Sequence, residues 1–176
     1  VGKPTGWLGS KATVAVAKET SQAAGTITGA NVLAMLARTM PRYRSRYVWV
    51  MHPDLEEQLP TLAIEKGGAA NFLWTPEGGL GNFDAPRVLG RRVIFDENCS
   101  PVGEQGDINL IDPRQYILMS KGAARQAWSI HVEFLTDQSC FRLVFRCNGA
   151  PKTDKPFTVK NSTKQRSTFI TLAARS

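Results

Sequence analysis

The sequence predicts an α+β fold, and three observations carry the prediction. Two stretches combine helical apolar spacing with helix-start chemistry, beginning at Thr28 and at Pro53. Several short apolar or β-branched runs are bounded by Gly, Pro and Asp, as strands are. Near the C-terminus, two alternating segments flank a polar loop, the pattern of a long β-hairpin.

Residues 1–25 carry Gly2, Pro4, Gly6, Gly9 and Gly25 among small polar residues, anchored by Trp7, Leu8, Val14 and Val16. They predict an extended lead-in with one or two short strands. From Thr28 the spacing turns helical: Val32, Leu33, Met35, Leu36 and Met40 recur on one side, and Pro41 ends the run. The Thr28 hydroxyl suits an N-cap because it can accept from first-turn amides. Arg42, Arg44 and Arg46 are expected in a solvated connector. Residues 47–51 are apolar on both faces, as in a strand buried between layers.

Pro53 fits the first helical position, where its missing N–H costs nothing, and Asp54, Glu56 and Glu57 favour the helix dipole. Leu55, Leu59 and Leu62 form the expected buried stripe, with Pro60 kinking or shortening the helix. Residues 66–90 are glycine-rich but hold Phe72, Leu73, Trp74, Phe83 and Leu89, too apolar for a free linker. Phe72, Trp74 and Phe83 are read equally as a cover over the domain's own core and as candidates for an edge completed by neighbouring molecules. Strands are expected at 91–96, 107–111 and 116–120, and a last strand at 168–172 returns to an earlier sheet.

In the hairpin, Ile130, Val132 and Phe134 alternate with polar residues, as do Phe141, Leu143 and Phe145. Taking residues 136–139 as the loop puts Phe134 opposite Phe141 and pairs Glu133 with Arg142 on the other face. After Gly149-Ala150-Pro151 the chain turns basic, through Lys152, Lys155, Lys160, Lys164 and Arg166.

The 176 residues suffice for one cored domain or two small lobes, and 42% hydrophobic content favours folding. A net charge of +7 favours an acidic partner or a polyanion without specifying a fold. Cys99, Cys140 and Cys147 are an odd set without paired spacing, which fits a reducing compartment. No apolar run approaches the ~20 residues that cross a bilayer. The start, Val1-Gly2-Lys3-Pro4, has no apolar signal core and no Met, so a piece of a longer product is expected.

Sites for chemistry are poorly supported. In the expected register His131 opposes Val144, far along the strand from Cys140, which argues against a Cys–His pair. Two His and three scattered Cys lack the spacing of a zinc site. Gly78-Gly79-Leu80-Gly81-Asn82 has no Lys-Ser/Thr after it, so no phosphate cradle is indicated. There is no recognition helix, and aromatics do not interleave with the Arg strip. Asp96-Glu97 and Glu56-Glu57 are neighbours in sequence, not a converging acid/base pair. No catalytic, cofactor-binding or metal-binding residue is assigned, and the chain is not expected to be an enzyme.

The order of these segments resembles the Hong Kong 97-like capsid fold of tailed-phage major capsid proteins. The resemblance rests on Pro4-Thr5-Gly6-Trp7-Leu8, the helix from Asn31, strand 47–51 with His52-Pro53, and Phe72-Leu73-Trp74. It continues through Leu89-Gly90, Gly106-Asp107, Tyr116-Ile117, Asp137, and Phe141-Arg142 with Arg146. It spans nearly the whole chain, with specificity in the order of the motifs more than in any one of them.

The resemblance implies a mixed sheet with flanking helices, the axial domain, over residues 26–125 plus the last strand, 167–173. It assigns 126–166 to the peripheral domain's long hairpin and a basic return segment, after an extended lead-in over 1–25. The family's N-terminal arm, extended loop and spine helix would lie upstream of Val1, so this chain alone is expected to be monomeric or weakly associated. Some relatives cross-link through a hairpin Asn; the approximate position here holds Cys140, so cross-linking is not expected.

The implied partners are copies of the chain in pentamers and hexamers, packaged DNA bound without sequence preference, and a portal, scaffold or maturation protease. The implied places are the virion capsid and the host cytoplasm during assembly. An encapsulin-type nanocompartment shell is the nearest alternative, which a neighbouring cargo-enzyme gene would favour over terminase and portal genes. A basic nucleic-acid-binding module is the alternative of another class, with tight, sequence-selective binding at moderate salt as its mark.

Overall fold

A computed structural model of the chain describes residues 3–66, 69–72 and 87–175. Strand β1 (Thr13–Val16) precedes helix α1 (Gly29–Ala37), a 3-10 helix (Pro41–Arg46) and β2 (Val48–Met51). A second 3-10 helix (Pro53–Thr61) leads to β3 (Ala63–Lys66) and β4 (Ala69–Phe72). Then come β5 (Arg87–Val88), β6 (Arg91–Phe95), β7 (Ile108–Ile111), β8 (Tyr116–Ser120), β9 (Arg125–Glu133) and β10 (Gln138–Val144). The chain ends with β11 (Cys147–Pro151), β12 (Phe157–Thr158), β13 (Gln165–Arg166) and β14 (Phe169–Leu172).

The main sheet has six strands in the order β1-β14-β7-β2-β6-β5. It is mixed: β1 runs parallel to β14 and β2 parallel to β6, while β7 is antiparallel to both β14 and β2. The adjacent inner strands β7 and β14 are buried at every position. β8 pairs with β11, β9 with β10, and β12 with β13, all outside this sheet.

Helix α1 begins where its capping chemistry dictates. The Thr28 hydroxyl accepts from the Asn31 amide (3.3 Å), and the Asn31 side chain accepts from the Thr28 amide (3.1 Å), a reciprocal box. Val32 and Met35 are buried in the core beside Trp49, Met51 and Ile170. Residues 53–61 form a helix with Leu55, Leu59 and Leu62 inside, but of 3-10 type. The cause is Pro60, which cannot donate and whose ring excludes α-helical placement of the carbonyl four residues back.

Two polar nodes fix the sheet's ends. At one, Tyr47 donates to the Ser167 carbonyl (2.7 Å) and accepts from the Met40 amide (3.0 Å), and the Ser167 hydroxyl donates to the Ala12 carbonyl. Burial pushes the Tyr47 phenol up to about 12, so it remains a donor throughout the neutral range. At the other end Arg175 is ion-paired to Asp107 with both side chains wholly buried. The Asp107 carboxylate also accepts from the amides of Gly103 (3.0 Å) and Ile108 (2.8 Å).

Removing one member of a buried pair strands the other. Asp107→Ala is expected to lower the unfolding free energy by about 3–5 kcal/mol, against about 1 kcal/mol for Thr28→Ala. Urea denaturation of the two variants checks the contrast, and equal losses would contradict it.

Candidate functional site

The apolar surface that lacks a partner is concentrated on an arm. β9 and β10 form a two-stranded hairpin outside the sheet, and nearly every residue in it is exposed. Trp128, Ile130, Val132, Phe134, Leu143 and Phe145 are each more than half exposed, and Leu135 at the tip is 99% exposed. The Trp128 and Phe141 rings touch across the strands, with centroids 4.9 Å apart and planes tilted by 56°. A folded monomer rarely leaves so much contiguous apolar area in water.

The hairpin's register differs from the one the sequence suggested. Glu133 opposes Gln138, and Arg142 opposes Ala127, so Glu133 and Arg142 are not a pair. Phe141 faces Trp128, not Phe134, and Leu143 faces Gln126, not Val132. Two local features cause the shift. The turn closes earlier, through a 3-10 segment at Phe134–Thr136 and Asp137 in the left-handed conformation (φ 53°), which Asp tolerates better than most residues. A bulge then sets the stretch between Ser129 and Glu133 against the shorter stretch between Cys140 and Gln138.

The arm is rooted by the β8–β11 pair. Tyr116 lies against Gly149, where a Cβ would come within 2.5 Å of its hydroxyl, so no larger residue fits without moving the ring. The Tyr116 hydroxyl donates to the Thr5 carbonyl (3.0 Å), and the Thr5 amide donates to the Gly149 carbonyl (2.8 Å). The lead-in is thereby stitched to the root of the arm.

Beside that root is a hollow of about 340 Å³ lined by Lys121, Arg125, Arg142 and Arg146. No carboxylate lines it. Sequence reasoning did not find this group, although its signal was present: basic residues stand at the open end of both strands.

Of the proposed subunit edge, Trp74, Phe83 and the Phe72 side chain lie outside the described residues; the Phe72 backbone ends β4. Arg42, Arg44 and Arg46 lie exposed on their 3-10 helix, and the cations of Arg42 and Arg46 lie 5.7 and 5.0 Å from the centre of the Tyr43 ring. Cys140 faces Ser129, which lies two residues from His131, nearer than the sequence register placed them. Among the described residues, no group of three or more His, Cys, Asp or Glu side chains could hold a metal ion. No helix among them is long and apolar enough to cross a membrane.

Burial raises the Cys99 thiol to about 11, helped by the nearby Asp96 charge. It therefore stays protonated at neutral pH and makes a poor nucleophile. At pH ~8, half-buried Cys99 is expected to alkylate well after exposed Cys147, as mapped by peptide mass spectrometry. The hairpin register is checked by engineered disulfides. Ser129→Cys is expected to oxidise onto Cys140 and Leu135→Cys to stay free; the reverse would restore the register read from sequence.

Comparison with solved structures finds capsid chains. The capsid of an empty GTA particle, computed with C5 symmetry, matches at 18% identity with a TM-score of 0.67. That match covers 99% of this chain and 57% of the other. The capsid of a native GTA particle matches at 17% identity with the same TM-score, covering 98% and 56%. This chain thus spans little more than half the length of these structures. Comparison with curated proteins gives no match. The α+β architecture, a mixed sheet with few helices, is the one these capsid chains have. The sequence profile of the phage capsid family matches residues 1–161, and the chain belongs to that family.

Proposed function

We propose that the chain is the shell-forming part of a major capsid subunit of a tailed bacteriophage or prophage, which assembles with copies of itself into an icosahedral shell enclosing DNA. The observation that carries the reading is the arm: an ordered two-stranded element, apolar on exposed positions, in a chain of the phage capsid family. Such an element gains free energy only when another surface covers it. In a shell, the available surface is another copy, and the contact is repeated by symmetry.

In this reading the six-stranded sheet is the body of the axial domain and the arm belongs to the peripheral domain. Phe72, Trp74 and Phe83 remain the candidate edge toward neighbouring subunits. The cation-lined hollow at the arm's root suits the phosphates of packaged DNA, contacted through charge without base readout. Portal, scaffold and maturation protease are further partners of the complete subunit. Its places are the virion capsid and, during assembly, the host cytoplasm. Its role is structural and not catalytic.

Electron microscopy of the full gene product tests the reading. Closed, uniform shells are expected from the native sequence. Trp128→Ser combined with Phe134→Ser is expected to cut assembly by about tenfold or more, because truncating buried aromatic anchors at an interface costs about 2 kcal/mol. Thermal melting should show the variant still folded, since both side chains are mostly exposed in the single chain. A soluble gene product that never forms shells, or a variant that assembles like the native chain, would refute it.

A further inference from the structure

The main sheet separates charge by the direction of its strands. β2 and β6 run the same way, and β7 runs opposite to β2. The segments after β2 and β6 and the segment before β7 therefore emerge at one end. They carry Asp54, Glu56 and Glu57, then Asp96 and Glu97, then Glu104. Five of these are exposed and Asp96 is half-buried; hydrogen bonds from the backbone and side chain of Asn98 hold its carboxyl low, and thus ionised.

At the opposite end lie the segments before β2, at the start of β6 and after β7, with Arg42, Arg44, Arg46, Arg91, Arg92 and Arg114. All are exposed except half-buried Arg91. Among the described residues the exceptions are balanced or hidden. Lys18 and Glu19 follow β1 together at the acidic end, where Asp107 and Arg175 are buried against one another. Asp112, at the basic end, is buried.

The two ends do not neutralise each other within one copy. Strands of four or five residues separate them by about 15 Å, beyond the ~8 Å screening length of physiological salt. Three of these arginines contact neutral groups. Arg91 donates to the carbonyls of Arg44 (3.2 Å) and Leu89 (3.1 Å), while Arg42 and Arg46 flank the Tyr43 ring.

We propose that the two ends of this sheet are complementary docking faces, the acidic end of one copy receiving the basic end of the next. The occupant is a second copy, because one chain presents both halves of the match. Unlike ends that meet head to tail make a heterologous contact, the kind that closes rings when the rotation allows. The charges set orientation and encounter rate, and oppose end-to-like-end pairing. This deepens the shell reading by naming a contact between copies, but its test requires no shell, so the two can fail separately.

The test uses this 176-residue chain in sedimentation experiments across concentration at low and high ionic strength. The native chain is expected to self-associate at low ionic strength and to dissociate at high. Glu57→Lys with Glu97→Lys removes most of the acidic end's net charge, and Arg44→Glu with Arg92→Glu removes most of the basic end's, each leaving the other end intact. These four side chains are exposed, so thermal melting should show both variants folded. Each variant alone is expected to associate about tenfold more weakly than the native chain, and an equimolar mixture of the two to recover association as mixed species. A native chain that stays monomeric at low ionic strength overturns the proposal. So do variants that associate like the native chain, and a mixture no stronger than its parts. If the basic end instead serves a polyanion, short duplex DNA binds the native chain, loses affinity for Arg44→Glu/Arg92→Glu, and no mixed species forms; that result also overturns it.

Discussion

The placement of β14 is the constraint on which the core rests. It lies between β1 and β7, pairing Thr13 with Phe169 on one side and Ile111 with Phe169 on the other. Without it β1 has no partner in the sheet and β7 loses one of its two. The sheet therefore completes only when segments near the two ends of the chain meet, a closure across almost its whole length. The Ser167 node and the buried Arg175–Asp107 pair bracket this strand, one before it and one after. Both are polar arrangements whose members would be costly to bury alone, so they favour one placement of the strand over shifted ones.

That closure gives the solvent-exposed arm a base in the sheet. Residues 116–166 form an excursion between two adjacent central strands, β7 and β14, so both of its stems leave a fixed frame. The frame keeps most of its apolar residues inside. The arm does the opposite, keeping its apolar side chains outside and its cations around an open hollow. This division suits a subunit whose body is set before assembly and whose contacts are completed by assembly. Charge follows the same division, since the strand directions of the body decide which clusters gather at which end.

Much of the body was legible in the sequence. Thr28 marked the start of α1, the double-faced apolar run 47–51 marked a central strand, and Thr168–Leu172 marked the returning one. These succeeded because burial and capping impose a single answer on each. The hairpin was legible as a hairpin but not in its register. Its strands are exposed on both faces, so no core penalises a slip, and the turn at Asp137 with the bulge beyond it decided the pairing. The 3-10 character of 53–61 was hidden because Leu55, Leu59 and Leu62 recur at α-helical spacing, with Pro60 the one signal of a departure. The cationic hollow left a signal in the basic residues at the hairpin's open end, but the opposed charged ends could not be read linearly. Arg42–Arg46 and Asp54–Glu57 flank one short strand and so lie at its opposite ends, but which charges beside β6 and β7 join each group follows only from the directions of those strands in the sheet.

The central claim is that the arm's exposed apolar residues are covered by other copies in a shell. Hydroxyl-radical footprinting of assembled particles against the dissociated subunit addresses it residue by residue. Trp128, Phe134, Leu135 and Phe141 are predicted to lose most of their labelling on assembly, while Leu33, exposed on helix α1, serves as a reference outside the arm. Arm residues labelled equally in both states would contradict the account.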